Sequence, residues 1–400
     1  MNIAVAQSGG PTCAINASLV GVFREALKTP EIDAVFGSIN GIEGIINDEL
    51  MDLKLVIKTN EDMELLRQTP STVLGSCRYK LPPVEEGGKT YEKILNCFEK
   101  HRIEAFFYIG GNDSMDTVAK LSDYLAGVNS KIRVIGIPKT IDNDLPVTDH
   151  TPGFGSAAKY VAATVQEIIR DSSVYSIESV TIVEIMGRHA GWLTASTCVL
   201  RANDEIAPHL IYLPESEFSA EKFLEDVRIQ QAKYKAVIVA VSEGVKLAGE
   251  KSKPVMVDNF GHEYLSGIGK TLEQLVKDNI GCKVRSIELN VMQRCSSHIC
   301  SKTDIDEAEQ IGSEGVKAAL RGVTGQMMCY KRISDIPYVI TIDGIDAHKT
   351  ANKEKFFPKE WINQQQNDVS PEAVKYFLPL IQGDVKIRMK NGMPVHFKLK

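Results

Sequence analysis

The sequence predicts an α/β fold built as two lobes, each around a parallel sheet. Three observations carry this. Short, nearly continuous apolar runs rich in Val, Ile and Phe recur along the 400 residues, as strands buried on both faces require. Helix-length periodic segments lie between them. Glycine-bearing turns stand at several strand-to-helix joins, the order of a parallel α/β sheet.

The elements follow in order. Residues 3–7 form the first strand, and 14–28 a helix with Pro30 just beyond it. Strand 34–39 precedes helix 90–100. Strand 105–110, helix 114–125 and strand 133–138 follow closely. Helix 156–172 leads to strand 180–185, then strand 236–241, helix 272–278, and strands 286–291 and 338–343. Eight strands are too many for one small sheet, hence two lobes. The stretch after Lys349 is richer in Lys, Gln and Asn and reads as a surface helix and a final extended piece. The length suits two to three domains or one large α/β unit, with no internal repeat and no long Gly/Ser linker.

Composition narrows the function. Apolar residues make up 43% and charged residues 24%, an ordinary globular balance. With 46 Lys plus Arg against 52 Asp plus Glu, the net charge is −6, which argues against a duplex nucleic-acid binder. No apolar run approaches a membrane span, and the first ten residues run straight into a strand without the features of a leader. No membrane association is expected. The eight cysteines are scattered without a CxxC pair, as suits free thiols in a reducing, cytoplasmic setting. Cys295, His298 and Cys300 sit close together, but no second cluster completes a zinc site.

Ligands of parallel sheets bind at the carboxyl ends of strands, so the loops there carry the argument. Gln7-Ser8-Gly9-Gly10-Pro11-Thr12 opens a helix, where free N–H groups favour phosphate, although a plain tight turn reads equally well. Gly269-Lys270-Thr271 imitates the tail of a P-loop but lacks the leading glycine and a clear preceding strand, so it reads as a helix start. Gly110-Gly111-Asn112-Asp113-Ser114 joins two glycines, a carboxylate and a hydroxyl at a helix start. That set can hold phosphate and metal, or simply cap the helix. Pro138-Lys139-Thr140-Ile141-Asp142-Asn143-Asp144 places two carboxylates at i and i+2, on one side of an extended loop. One can accept a proton while the other holds a cation, beside a lysine. Met186-Gly187-Arg188-His189 offers an arginine that could fork onto phosphate; His189 reads as a surface or core histidine. Glu243 closes a strand, and Arg285 and Arg294 bracket another.

GGNDS, PKTIDND, MGRHAGWL, SEG and MQR occur in the order of the phosphofructokinase family. With SGGPTCAIN and GSCRY added, the chain resembles that family over roughly residues 3–345, and the tail is similar to the extension of longer bacterial pyrophosphate-dependent members. The resemblance implies two Rossmann-like lobes of the phosphofructokinase fold. Residues 1–154 plus about 293–345 would form the phosphoryl-donor lobe and 155–292 the sugar-phosphate lobe. Residues 346–400 would be a C-terminal extension packing on the second lobe.

The implied reaction moves a phosphoryl group to the 1-hydroxyl of fructose 6-phosphate. Asp142 matches the general base, with Lys139 and Asp144 beside it in the catalytic set. Thr140, Ile141, Met186, Gly187, Arg188 and Glu243 match sugar contacts. Arg285, Val291 and Arg294 fall at the sugar phosphate, a grip partly made across a subunit interface in the family, which implies a homo-oligomer, a homodimer as the simplest. Val291 stands where relatives usually have His or Tyr. Gly10, Arg78, Gly111, Asp113, Ser114 and Lys139 match the donor site. Asp144 matches the Mg²⁺ ligand, and Asn112 stands where relatives more often carry a metal-holding Asp.

ATP-using relatives usually have glycine at the positions of Asp113 and Lys139, whereas pyrophosphate-using ones have Asp and Lys. A carboxylate about 4 Å from the ATP α-phosphate costs about 4 kcal/mol at an effective dielectric near 20. The expected donor is therefore pyrophosphate. The alternatives are an ATP-dependent enzyme, the same chemistry on sedoheptulose 7-phosphate, and an inactive regulatory subunit of this fold. A dinucleotide-binding oxidoreductase would need GxGxxG after the first strand, which is absent.

Overall fold

The computed structural model describes residues 1–247 and 267–399. Eleven strands form its two main sheets among these residues: β1 (Asn2–Gln7), β2 (Ala34–Ser38), β3 (Leu50–Asp52), β4 (Ile103–Gly110), β5 (Arg133–Pro138), β6 (Ser179–Ile185), β7 (Leu210–Tyr212), β8 (Ala236–Ser242), β9 (Lys283–Glu288), β10 (Gln326–Asp335) and β11 (Tyr338–Asp346). The first sheet has seven strands in the order β11-β10-β5-β4-β1-β2-β3, and the second has four in the order β7-β8-β6-β9. Strands β10, β5, β4, β1 and β2 pair in parallel, with β3 and β11 added antiparallel at the two edges. The second sheet is parallel throughout.

The continuous apolar runs become the central strands. In β4 only Glu104 is exposed, and in β1 every residue after Asn2 is buried. The edge strand β11 instead alternates between exposed and half-buried positions, as one solvated face dictates. Strand 338–343 was expected among the parallel strands. It is the second arm of an antiparallel hairpin with β10, at the solvated edge of the sheet. The strand expected at 286–291 starts earlier and stops at Glu288. Asn290 turns the chain at φ +45°, and Val291 leads into the short helix Met292–Cys295.

The helix Ile15–Lys28 packs against Lys302–Leu320 at very close range. A Cβ added at Gly21 would lie 1.9 Å from the Glu309 carbonyl oxygen, and one at Gly312 would lie 2.2 Å from that of Ser18. Only the missing side chains let these backbones meet. Residues of the C-terminal extension join two cores. Phe357, Ile362, Ala373, Phe377 and Leu380 pack with Trp192 and the helix Phe154–Ser173, while Phe397 packs with Leu66 and Leu74 beside the first sheet. Gly269-Lys270-Thr271 does lie at a helix start, in Ile268–Asn279.

Below the β5 loop runs a buried polar chain. The His150 ring faces Asp149 Oδ2 at 2.8 Å from Nδ1 and Glu307 Oε2 at 2.7 Å from Nε2, and it stacks on Tyr330. Arg332 reaches the same Asp149 at 2.9 Å. Burial pulls the His150 pKa down, but the carboxylates of Glu307 and Asp149 outweigh it and hold the ring at about 8. A raised folded-state value means stabilisation that is complete below the unfolded pKa near 6.5 and lost as pH rises through 8. We predict that the stability advantage of wild type over His150→Gln shrinks by about 2 kcal/mol between about pH 6 and about pH 9. Denaturant melts of both proteins across that range measure it, and a constant difference would refute the charged-ring account.

Candidate active site

A cavity of about 680 Å³ opens at the carboxyl ends of β1, β4 and β5 in the first sheet and of β6 and β8 in the second. It collects the loops singled out by sequence. Gly10, Arg78, Gly111, Asn112, Asp113, Ser114, Lys139, Thr140, Ile141, Asp142, Asp144, Met186, Arg188, Glu243 and Arg294 all line it.

The β1 loop and the β4 loop are tied to each other. The Ser8 N–H donates to the Ile109 carbonyl at 2.9 Å, and the Ser8 and Ser114 hydroxyls are hydrogen-bonded. The helix Asn112–Gly127 begins at Gly111 with no side chain capping it, so its first N–H groups are left for an anion. Asp113 sits in that first turn and pairs with Lys80 at 3.0 Å.

The β5 loop supplies the charges. The Lys139 N–H donates to the Gly110 carbonyl at 2.8 Å, and its Nζ donates to the Gly10 carbonyl at 2.6 Å. Gly9 turns at φ +74°, which favours glycine there, and a Cβ would also crowd that ammonium at 3.2 Å. Burial pushes the Lys139 pKa down to about 8, against the pull of Asp142. Burial pushes Asp142 up, offset by the Thr140 hydroxyl at 3.3 Å and by Lys139, Arg188 and Arg294. Asp144 rises to about 7, through burial and then the Asp142 charge.

The second sheet contributes the opposite wall. Gly187 turns at φ +144°, where an added Cβ would lie 2.7 Å from the Ala190 carbonyl oxygen. Its N–H donates to Glu243 Oε1 at 3.3 Å. Burial raises Glu243 to about 7. Gly187 thus shapes the wall from behind rather than lining it. The Met186 N–H donates to Gln293 Oε1 at 3.2 Å, which anchors the segment carrying Arg294.

Two predicted residues lie elsewhere in the chain. Arg285 is on β9, half exposed, 3.3 Å from Asp171, and Val291 is exposed; neither lines this chain's cavity. Several lining residues were given no role from the sequence. Ser8, Cys77 and Tyr79 lie within motifs that were read and Tyr108 within the β4 strand, whereas Asn352, Glu354 and Phe356 come from the C-terminal extension, a segment without a motif. His189, read as a surface or core residue, does line the cavity and meets Glu354 at 2.6 Å. Asn112, expected beside the metal, spends both ends of its amide on the extension. Its Nδ2 donates to the Lys353 carbonyl at 2.7 Å and its Oδ1 accepts from the Asn352 N–H at 2.5 Å.

Asp142 and Asp144 nonetheless fit a divalent cation. Both are hard oxygen donors, both are half-buried in the cavity wall, and loss of solvent raises both of their pKa values. Among the described residues, Cys295, His298 and Cys300 form no metal-binding group.

An uncapped helix start, a buried lysine and two carboxylates in one cleft between parallel sheets define a phosphoryl-transfer enzyme. The phosphofructokinase family model matches residues 2–319, and the chain belongs to that family. It is 36% identical over 403 residues to the pyrophosphate–fructose 6-phosphate 1-phosphotransferase of Halomonas elongata, covering 100% of this chain and 96% of the relative. It is 38% identical over 405 residues to the protein of the same name from Xanthomonas campestris, with the same coverage of both chains. The crystal structure of the pyrophosphate-dependent phosphofructokinase from Marinobacter aquaeolei matches with a TM-score of 0.89 at 36% identity, over 100% of this chain and 96% of that one.

Proposed function

We propose that this protein transfers a phosphoryl group from pyrophosphate to the 1-hydroxyl of fructose 6-phosphate, giving fructose 1,6-bisphosphate and phosphate. The observation that carries this reading is the meeting of Asp113, Lys139 and Asp142 in one cavity. The relatives and the solved structure described above support pyrophosphate over ATP as donor.

Asp142 is the base. Thr140 orients its carboxylate; burial raises its pKa, and Lys139, Arg188 and Arg294 oppose that rise. The sugar O1–H gives its proton to Asp142 as the oxygen bonds to phosphorus and the bridging P–O bond of pyrophosphate breaks. The leaving phosphate is held by Lys139 and by the N–H groups at Gly111. Asp144 would hold Mg²⁺, which when bound neutralises phosphate charge. Arg188 and Arg294 grip the sugar phosphate, and Glu243 accepts from sugar hydroxyls. Arg285 on β9, half exposed, and Val291 just beyond that strand, exposed, serve the cavity of a second copy in a homodimer. Residues 1–154 with about 293–345 bind the donor, and 155–292 bind the sugar.

Asp113 rejects ATP by position and charge. It stands in the first helical turn at the cavity, where a nucleoside triphosphate would have to extend. No helix of the described residues is long and apolar enough to cross a membrane. All eight cysteines are free thiols, which supports a cytoplasmic setting.

Two predictions follow from these roles. Wild type should use pyrophosphate far better than ATP, and Asp113→Gly should admit ATP measurably. Lys139→Gly should damage pyrophosphate use without creating ATP use. The values of kcat/KM for both donors in the three proteins test this; a wild type that prefers ATP would overturn the donor assignment. Separately, Asp142→Asn should lower kcat by about 10²–10⁴ while KM for fructose 6-phosphate stays near its wild-type value. Turnover close to wild type in that variant would take the base role away from Asp142.

A further inference from the structure

The C-terminal extension crosses the cavity mouth at residues 352–356 and is fastened on both sides. Asn352 and Lys353 are held by Asn112, Glu354 by His189, and the Phe357 N–H by Glu215 Oε1 at 2.8 Å. Between these fastenings, Lys355 turns inward under the β5 loop. Its backbone N–H donates to the Asp144 carbonyl at 2.6 Å, and its own carbonyl accepts from Trp192 Nε1 at 3.0 Å.

An ammonium has three N–H bonds and no acceptor. Lys355 Nζ finds three acceptors: Asn143 Oδ1 at 3.2 Å, the Thr148 carbonyl at 3.1 Å and the Asp149 carbonyl at 2.8 Å. It also lies 5.0 Å from the centre of the Trp192 ring, within cation–π range. These contacts span the turn that carries both catalytic carboxylates. Asn143 stands between Asp142 and Asp144 in the left-handed region at φ +54°, so the turn is not one that an extended chain would hold unaided. The Asn143 amide is braced again by Tyr376 OH at 2.9 Å, which itself donates to the Asp149 carbonyl at 2.6 Å. Lys355 does not line the cavity, so it does not meet the substrates.

We propose that Lys355 is a positioning residue for the reaction: its ammonium sets the 142–144 turn, and through it the angle at which Asp142 meets the sugar hydroxyl. The C-terminal extension is then part of the catalytic apparatus. This rests on the functional reading given above, in which Asp142 is the base.

The test uses the full-length protein with saturating Mg²⁺, pyrophosphate and fructose 6-phosphate. Lys355→Met keeps the length of the side chain and removes its donors. It should lower kcat per folded molecule by about 10- to 100-fold, the scale of an ångström-sized misplacement, with both KM values within about threefold of wild type. Lys355→Gln, which keeps an N–H donor, should recover part of the loss. Hydrogen exchange at amides 142–149 should quicken about tenfold in Lys355→Met while β1 and β6 stay protected. A merely structural lysine would lower the folded fraction and leave kcat per folded molecule unchanged, and that result overturns the proposal. So does a loss confined to KM, or unchanged exchange at 142–149. Absence of pyrophosphate turnover in wild type is a failure of the donor reading instead; the Lys355 comparison is then made with ATP, and the exchange measurement stands without any turnover.

Discussion

Lys139 carries an ammonium into a place almost without water, and much of the active site is arranged around that fact. Burial alone would strip its proton, and the Asp142 charge works against that loss. The Gly10 carbonyl takes one of its N–H bonds, and the β1 loop has glycines where the charge passes. The backbone of the same residue is fixed to Gly110 at the end of β4, so the β1, β4 and β5 loops share one frame. The constraint is mutual: three cations oppose the rise that burial imposes on Asp142, and the carboxylates of Asp142 and Asp144 oppose the fall that it imposes on Lys139. Lys139, Arg188 and Arg294 outnumber Asp142 among these opposing charges, and such a cleft suits an anionic ligand.

The central strands and the motif loops were legible because each imposes a local rule. A strand buried on both faces has to be apolar along most of its length, and β1, β4, β5, β6 and β8 are, with few polar positions such as Glu104 and Glu184. Loops that meet phosphate need glycine and charge at strand ends, and those loops converge as expected. What was missed obeys weaker rules. The helix Lys302–Leu320 buries a face made largely of Ala and Gly, with Gly312 against Ser18 and Gly315 over Ile135 and Ile137, so its periodicity is faint. Strand β10 changes character halfway, from buried between neighbours to exposed in the hairpin, and offers no uniform pattern. The 352–356 segment has no motif because it works through backbone groups and scattered polar side chains such as Lys355 and Glu354, which look the same as any polar loop. Asn112 shows the reverse case: a motif position whose side chain has been given to another partner.

The two sheets also differ in how their strands are gathered from the chain. The second sheet is drawn from one stretch, from Ser179 to Glu288. The first takes β1 to β5 from residues 2–138 and then waits for β10 and β11, which come after the whole of the second. The helix Lys302–Leu320, which covers Ile15–Lys28 at glycine-to-backbone distance, arrives equally late. On the ribosome, at about 5–20 residues per second, the nascent first sheet would stand with the β5 edge unpaired and one helix uncovered for several seconds to a minute. The second sheet meets no such delay. The later-made half can therefore be finished first, and the half built on the first sheet closes last, by capturing an edge strand across a long sequence separation. Such non-local closure is the slow step in chains of this kind. The unpaired β5 edge during that interval is also where an unfinished molecule would pair wrongly with another.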